Sequence, residues 1–190
     1  MTTTIHRQHG LRQGLAGLAF LFCFATASQA QTPAPKPGPE HQKLSIFFGE
    51  WALDTDIQAT LLGPAGKFVG NARVRSILGG FFMEWRSDGK GPSGPTEYFE
   101  VDGYDASTKK YTWSSFDSTG VSESVTYTID GTNVEYAGTG LDGAKQYKFR
   151  GSVVFSKDLS SALEKRELSM DGKTWMPHFQ SKWTKIGKGQ

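Results

Sequence analysis

The chain has 190 residues, with 21 lysines and arginines against 19 aspartates and glutamates, and a single cysteine. This nearly balanced charge gives no basic surface of the kind that binds nucleic acid, so no nucleic-acid partner is predicted. One cysteine allows neither an internal disulfide framework nor a thiolate zinc site. Stability must therefore come from packing.

The first thirty residues, 1–30, have the pattern of a secretory signal. Arg7 and Arg12 precede an apolar run at 14–27 with no acidic residue before it, and small residues follow up to Ala30. We predict cleavage after Ala30 and an exported protein, either periplasmic or extracellular. The apolar run is short for a membrane span, so the mature chain is predicted to have none. Removing the signal takes away the cysteine and leaves nineteen basic and nineteen acidic residues.

The rest of the chain suits a single domain with a hydrophobic core. Residues 31–38 alternate proline with small residues and predict an extended leader before a domain that spans 39–190. A short helix is predicted from Pro39, because proline is well suited to the first helical position. Gly49 is expected to end this helix, which would then cap one end of the domain.

From Trp51 onward, apolar residues recur at every second position, which is the period of a β-strand. Glycine-rich and Asp-Gly turns separate these segments and indicate about ten strands joined by short hairpins. The clearest alternating segments are 51–57, 68–74, 81–85, 125–129 and 147–153.

These strands predict an all-β fold, an antiparallel up-and-down barrel with a short N-terminal capping helix. Closure of the sheet is favoured because it removes exposed strand edges, and a β-sandwich is the alternative. A barrel of about ten strands is wide enough to enclose a small ligand. Gly70, Ala72 and Gly151 lie on predicted inner faces and are expected to enlarge that space.

The segment Ser160–Leu168 fits the strand pattern least well, because it combines helix-forming residues with an incomplete alternation. If it is a strand with Leu168 facing inward, Glu164 and Arg166 face inward as well. Charged side chains inside the barrel would then require partners or solvent.

Four parts of the chain together resemble a secreted bacterial calycin-like family known as domain of unknown function 1579. They are residues 37–51, the glycine-led strand 80–85, residues 103–120 and the closing hairpin 169–184. The resemblance implies a barrel of about ten strands with an N-terminal helix, related to nitrobindin and lipocalin barrels that bind haem or small lipophilic molecules. It implies no catalytic residues and no ligand motif.

Aromatic side chains and a few polar groups on predicted inner faces are typical of a ligand cavity. We therefore predict binding of a small, largely apolar molecule, without a metal or cofactor; haem is possible but not favoured. The oligomeric state is not predicted. The candidate ligand-binding residues are Trp85, Glu97, Tyr127, Tyr147, Glu164 and Arg166.

Two other functions remain open at this stage. The barrel could have a structural or interaction role in the cell envelope, with its polar groups bonded only to one another. It could also be an enzyme, although no catalytic residue is predicted from a motif. In that case Glu164 is the candidate acid or base, because burial raises the pKa of a carboxyl group and the nearby Arg166 lowers it.

Two histidines follow the predicted signal, too few for a multi-histidine metal site. His178 is in phase with Gln180 and is predicted to face outward, unless a bulge at Pro177 reverses its direction. His41 is expected on the polar side of the capping helix, with the barrel mouth as the alternative.

Overall fold

The computed structural model describes residues 35–188. The predicted signal at 1–30 and the first part of the leader lie outside the described residues. The described elements, in chain order, are α1 (Pro39–Lys43), a 3₁₀ turn (Leu44–Phe47), β1 (Gly49–Ile57), β2 (Gly66–Ile77), a second 3₁₀ turn (Leu78–Gly80), β3 (Phe82–Gly91), β4 (Gly94–Asp105), β5 (Lys110–Asp117), β6 (Ser122–Asp130), β7 (Asn133–Asp142), β8 (Lys145–Phe155), β9 (Ser161–Ser169) and β10 (Met176–Gly187).

The capping helix begins at Pro39 as predicted, but it ends earlier than Gly49. The chain tightens into a 3₁₀ turn, which aligns residues three positions apart and so buries both Leu44 and Phe47. Gly49 opens β1 with φ of 143°, a conformation that favours glycine. No helix in the described part of the chain is long and apolar enough to cross a membrane.

The ten strands form a closed antiparallel barrel, in which each strand pairs with its neighbours in sequence and β1 pairs with β10. The closing pair is in register from Ala52 opposite Thr184 to Ile57 opposite Phe179. The predicted up-and-down barrel is therefore confirmed, and the sandwich alternative is not observed.

Alternation places large side chains inside the barrel and closes the end that carries α1. Trp51 is fully buried, and its indole Nε1 donates a hydrogen bond to the carbonyl of Phe47 at 2.8 Å. The Tyr111 hydroxyl donates to Glu40 of α1 at the same end. We call this closed end, built on Leu44, Phe47 and Trp51, the floor of the barrel.

The segment Ser160–Leu168 is part of a regular strand, β9, with Leu168 fully buried. Glu164 and Arg166 follow the same alternation and point into the barrel, as the conditional prediction required. The interior therefore contains charged groups, and their partners define the site.

Two of the three small inward residues do not enlarge the cavity. At Gly151, an added Cβ would overlap the Tyr136 hydroxyl, and at Gly70 it would overlap the Phe68 ring and the neighbouring backbone. The missing side chains make room for aromatic rings rather than for a ligand. The expectation of extra space at Gly70 and Gly151 was wrong for that reason.

Candidate functional site

The barrel contains a cavity of about 420 Å³ above the floor. Phe47 lies at its lower end, and hairpin residues line the opposite end, which we call the mouth. The mouth is formed by the turns that follow β1, β3 and β5, and its lining includes Leu62, Pro64, Pro92 and Thr119. The cavity is thus reached from the hairpins, away from α1.

Aromatic rings form much of the cavity wall. Trp85 of β3 packs against Trp183 of β10 with ring centroids 4.8 Å apart, and Trp113 of β5 lines the wall between β4 and β6. Leu53 and Val134 add aliphatic surface. These side chains provide contact area for an apolar molecule.

A pair of carboxyl groups lies on β4 against this wall. Glu100 accepts a hydrogen bond from the Tyr98 hydroxyl, and Asp102 Oδ1 accepts one from the Tyr127 hydroxyl at 2.7 Å. Burial raises the pKa of Glu100 to about 7, although the neighbouring Asp102 carboxyl and the Tyr98 hydrogen bond act in the opposite direction. Burial, together with the nearby Glu100, raises the pKa of Asp102 well above its usual value. The pair therefore holds a proton at neutral pH.

The guanidinium of Arg166 on β9 is bound to Glu123 and packs against aromatic rings. Its Nη1 donates to both carboxylate oxygens of Glu123, at 2.8 and 3.1 Å. The Tyr147 hydroxyl donates to Glu123 as well, at 2.9 Å. The guanidinium carbon also lies 4.2 Å from the ring centroid of Phe149 and 4.9 Å from that of Phe179. Glu123 is thus the counter-ion for the positive charge that Arg166 brings into the barrel.

Glu164 is held by a single hydrogen bond. The Tyr136 hydroxyl donates to Glu164 Oε1 at 2.6 Å and in turn lies 3.3 Å from Nε of Arg166. Burial raises the pKa of Glu164, while Arg166 and the Tyr136 hydrogen bond lower it. This carboxyl group lines the cavity.

Four buried side-chain atoms in the described part of the chain have no hydrogen-bond partner. They are Asp102 Oδ2, Trp113 Nε1, Ser115 Oγ and His178 Nδ1, and all four residues line the same cavity. Asp102 lies directly opposite Trp113 in the pairing of β4 with β5. Since buried polar groups are normally paired, four unpartnered atoms around one cavity distinguish this space from the packed core.

The outward position predicted for His178 was wrong. A shift in the pairing of β10 with β9 occurs between Pro177 and Phe179, and it turns His178 toward the cavity. Burial, followed by the charge of Arg166, lowers the pKa of His178 to about 4. The imidazole is therefore neutral at physiological pH. His41, by contrast, stays on α1, where its Nδ1 accepts from the backbone of Gly38.

A family model described as "Protein of unknown function (DUF1579)" matches residues 36–185. The chain belongs to this family. The crystal structure of Rv2717c from M. tuberculosis is similar, with 13% identity and a TM-score of 0.57, covering 78% of this chain and 98% of that one. S-type phycobiliprotein lyase CPES from Guillardia theta is similar with 9% identity and a TM-score of 0.50, covering 77% of this chain and 92% of that one.

The family resemblance drawn from the sequence is thus confirmed for this DUF1579 barrel. At such low identity, the two structural likenesses show the fold alone. No curated protein matches the chain.

The DUF1579 barrel brings together most of the residues proposed from the sequence. Trp85, Tyr147, Glu164 and Arg166 line the cavity. Tyr127 lies one layer below, where it is fully buried and orients Asp102 through its hydroxyl.

The placement predicted for Glu97 was wrong. It alternates with Thr96 and Tyr98, which line the cavity, so its side chain is exposed on the outer surface of β4.

Several cavity residues were not found by sequence reasoning. Glu100 and Asp102 follow Tyr98 with a period of two, a signal that an acidic pair lies on an inner face of β4. The missed lining residues are Glu100, Asp102, Trp113, Ser115, Glu123 and His178. Within residues 35–188, no group of three or more His, Cys, Asp or Glu side chains is placed to hold a metal ion.

Replacing Gly151 with alanine is expected to lower the free energy of unfolding by about 1–3 kcal/mol, because the added Cβ displaces the Tyr136 ring. Glu164 would lose its hydrogen-bond donor at the same time. Urea denaturation followed by fluorescence measures the change. Gly63→Ala is the control, since no atom lies within 4 Å of its added Cβ. Equal stability of the two variants would contradict the account of Gly151.

Proposed function

We propose that this protein is an exported barrel that binds one small, largely apolar molecule in its cavity. The observation that carries the proposal is the meeting of an aromatic wall with four unpartnered buried polar atoms around about 420 Å³ of space. Cavities of a few hundred Å³ with apolar walls and a few convergent polar groups are typical of small-molecule sites.

A purely structural role explains the cavity less well. A barrel that served only as a scaffold would gain stability from a filled interior, since empty space loses packing energy and unpartnered polar atoms cost free energy. Trp113 is the clearest example, because its indole Nε1 is buried at the cavity wall and has no hydrogen-bond partner. A ligand or ordered water in the cavity would remove this cost.

Export is proposed from the sequence pattern of residues 1–30, with cleavage after Ala30. Protein recovered from the envelope or the medium should then begin at Gln31. A recovered chain that still begins at Met1 would contradict export by this route.

Haem does not fit the cavity residues well, and no role for it is proposed. Haem carries two anionic propionates, whereas the cavity lining contains several carboxyl groups. Arg166, the one lysine or arginine in the lining from the described part of the chain, is already bound to Glu123. Although His178 Nδ1 is unpartnered, the described lining has no cation besides Arg166 to neutralise two propionates.

The proposal predicts saturable uptake of the neutral fluorescent dye N-phenyl-1-naphthylamine, with one dye per barrel. Ser115→Phe is expected to weaken this binding by roughly tenfold or more, a loss of at least about 1.4 kcal/mol, because the ring occupies the cavity. Ser114→Phe is the matched control, since Ser114 faces outward on the same strand. Thermal denaturation shows that both variants are folded. Equal dye binding by the two variants would contradict a site inside the barrel.

A further inference from the structure

The cavity lining is strongly unbalanced in charge. In the described part of the chain it contains one guanidinium, and the only histidine is held neutral by burial. Binding of a purely apolar molecule would not require buried carboxyl groups, which cost free energy to bury. The carboxyl groups that line it are those of Glu100, Asp102, Asp117, Glu123 and Glu164.

Two of these five acids are already occupied by protein groups. Glu123 is bound to Arg166 through both oxygens. Asp117, near the mouth, accepts hydrogen bonds from Thr119 and Val121 of the β5–β6 turn. The other three acids lie deeper and accept hydrogen bonds only from tyrosine hydroxyls; they are Glu100, Asp102 and Glu164.

The same region has unpartnered polar atoms, among which Asp102 Oδ2 becomes an acceptor once the acidic pair loses its proton. Asp102 Oδ2 has no partner, and Ser115 Oγ lies between the acids because Ser115 pairs with Glu100 on one side and with Glu123 on the other. His178 Nδ1 is also unpartnered and accepts a hydrogen bond when the proton of the neutral ring is on Nε2, whereas the unpartnered Trp113 Nε1 is a donor and needs an acceptor from water or the ligand. A ligand with N–H donors would satisfy the acceptors among these atoms, whereas the described lining offers an anionic ligand no cation other than Arg166, which is bound to Glu123.

The aromatic wall favours the same class of ligand. Trp85 and Trp183 pack against each other at a tilt of 57° in the cavity wall, and Trp113 lies opposite Asp102. Indole faces attract cations, most strongly where water is excluded. Aromatic rings beside carboxylates are the usual composition of a site for organic ammonium groups.

We propose that the ligand is an organic cation, with an apolar body between the tryptophans and a protonated amine held by the acids Glu100, Asp102 and Glu164. This inference rests on the proposed function, because it assigns a ligand class to the same cavity. The body lies against the tryptophans at the level of the acids, since Trp85 pairs with Glu100 and Trp113 with Asp102, and the ammonium supplies hydrogen-bond donors to the unpartnered acceptors.

Binding of the cation displaces the proton that the acidic pair shares. Before binding, Glu100 and Asp102 share a proton. After binding, the ammonium lies beside the ionised pair, and that proton has been released to solvent. Affinity for the cation should therefore rise with pH through the range in which Glu100 titrates. The titratable groups that act on Glu100 are Tyr98 and Asp102 from β4, Glu123 from β6 and Glu164 from β9, and Ser115 pairs with it from β5.

Three probes with one naphthalene body test the ligand class. They are 2-naphthylmethylamine, which is an ammonium at pH 7.5, the neutral 2-naphthalenemethanol, and the anion 2-naphthoate. Titration of the mature protein, followed by tryptophan fluorescence and calorimetry, should show the ammonium binding about tenfold more tightly than the alcohol, as one charge-assisted hydrogen bond provides. The naphthoate should bind most weakly.

The variants Glu164→Gln and Glu100→Gln should each lower the affinity for the ammonium probe by about tenfold and leave the alcohol unchanged. Glu97→Gln removes a negative charge from the outer face of the same barrel and should change neither. Using two separate inner variants keeps the test decisive if one fails to fold.

Equal affinity for the ammonium and the alcohol, or preference for the naphthoate, would overturn the inference and leave the proposed function standing. If none of the three probes nor the neutral dye binds, the proposed function fails as well. Calorimetry in two buffers of different ionisation enthalpy should also show proton release with the ammonium probe alone.

Discussion

Replacing Arg166 with methionine is expected to lower the free energy of unfolding by about 3–5 kcal/mol. The substitution keeps an apolar stem between Phe149 and Phe179 but leaves the carboxylate of Glu123 buried without its counter-ion. Both side chains of the pair are less than one-tenth exposed, so solvent compensates little. Chemical denaturation of the variant at pH 7.5 measures the loss.

The double variant Arg166→Met with Glu123→Gln is the control. It removes both charges, and the Tyr147 hydroxyl keeps an amide oxygen as acceptor. Replacing both members of a buried ion pair is often nearly neutral, so the double variant should regain most of the lost stability. A double variant as unstable as Arg166→Met would show that lost packing, not the unpaired carboxylate, causes the effect.

Replacing Glu100 with glutamine is expected to stabilise the barrel increasingly as pH rises, by about 3 kcal/mol between pH 4.5 and pH 8. The pKa of Glu100 is raised from 4.5 to about 7 on folding. Below pH 4.5 the carboxyl group is protonated in both states and costs nothing. As pH rises from 4.5 to 7, Glu100 ionises in the unfolded protein but stays protonated in the folded one, so the wild-type protein loses stability. Glutamine does not titrate, so the variant does not lose it.

Other groups titrate as well, so the effect of Glu100 is the difference in the free energy of unfolding between the wild type and Glu100→Gln at each pH. His178 acts in the opposite direction, because its pKa is lowered to about 4 in the folded protein and its contribution is lost as pH falls. The exposed Asp105 and Asp158 have pKa values near 2, so their contributions are lost only in more acidic solution. Urea midpoints of wild type and Glu100→Gln at several pH values provide the measurement. A constant difference would mean that Glu100 titrates normally.

The barrel could be predicted from the sequence because strands and turns are indicated by residues that are close together in the chain. Trp51, Leu53 and Thr55 alternate with exposed Asp54 and Asp56, and a period of two fixes which face is buried. Asp-Gly and other glycine turns mark the hairpins, and closure follows from the number of strands. Glu164 and Arg166 were placed inside by the same rule.

The site was harder to predict because it depends on the partners of each residue across the barrel. The register shift at Pro177 reverses His178, and alternation alone gives it the wrong side. Gly151 is inward as predicted, yet the space it leaves is filled by Tyr136 from the neighbouring strand. The acids bond to tyrosines and to Arg166 on other strands. Which side chains come close enough to do so depends on the folded barrel and cannot be derived from the alternation along one strand.

The most direct test of a ligand-binding cavity is native mass spectrometry of the mature protein, purified from the envelope fraction of the organism that encodes it, compared with its denatured mass. We expect a reproducible excess mass in the native state that disappears on denaturation, from a bound molecule small enough for a cavity of about 420 Å³. Identical native and denatured masses, from a protein that also fails to take up the neutral dye, would contradict the account.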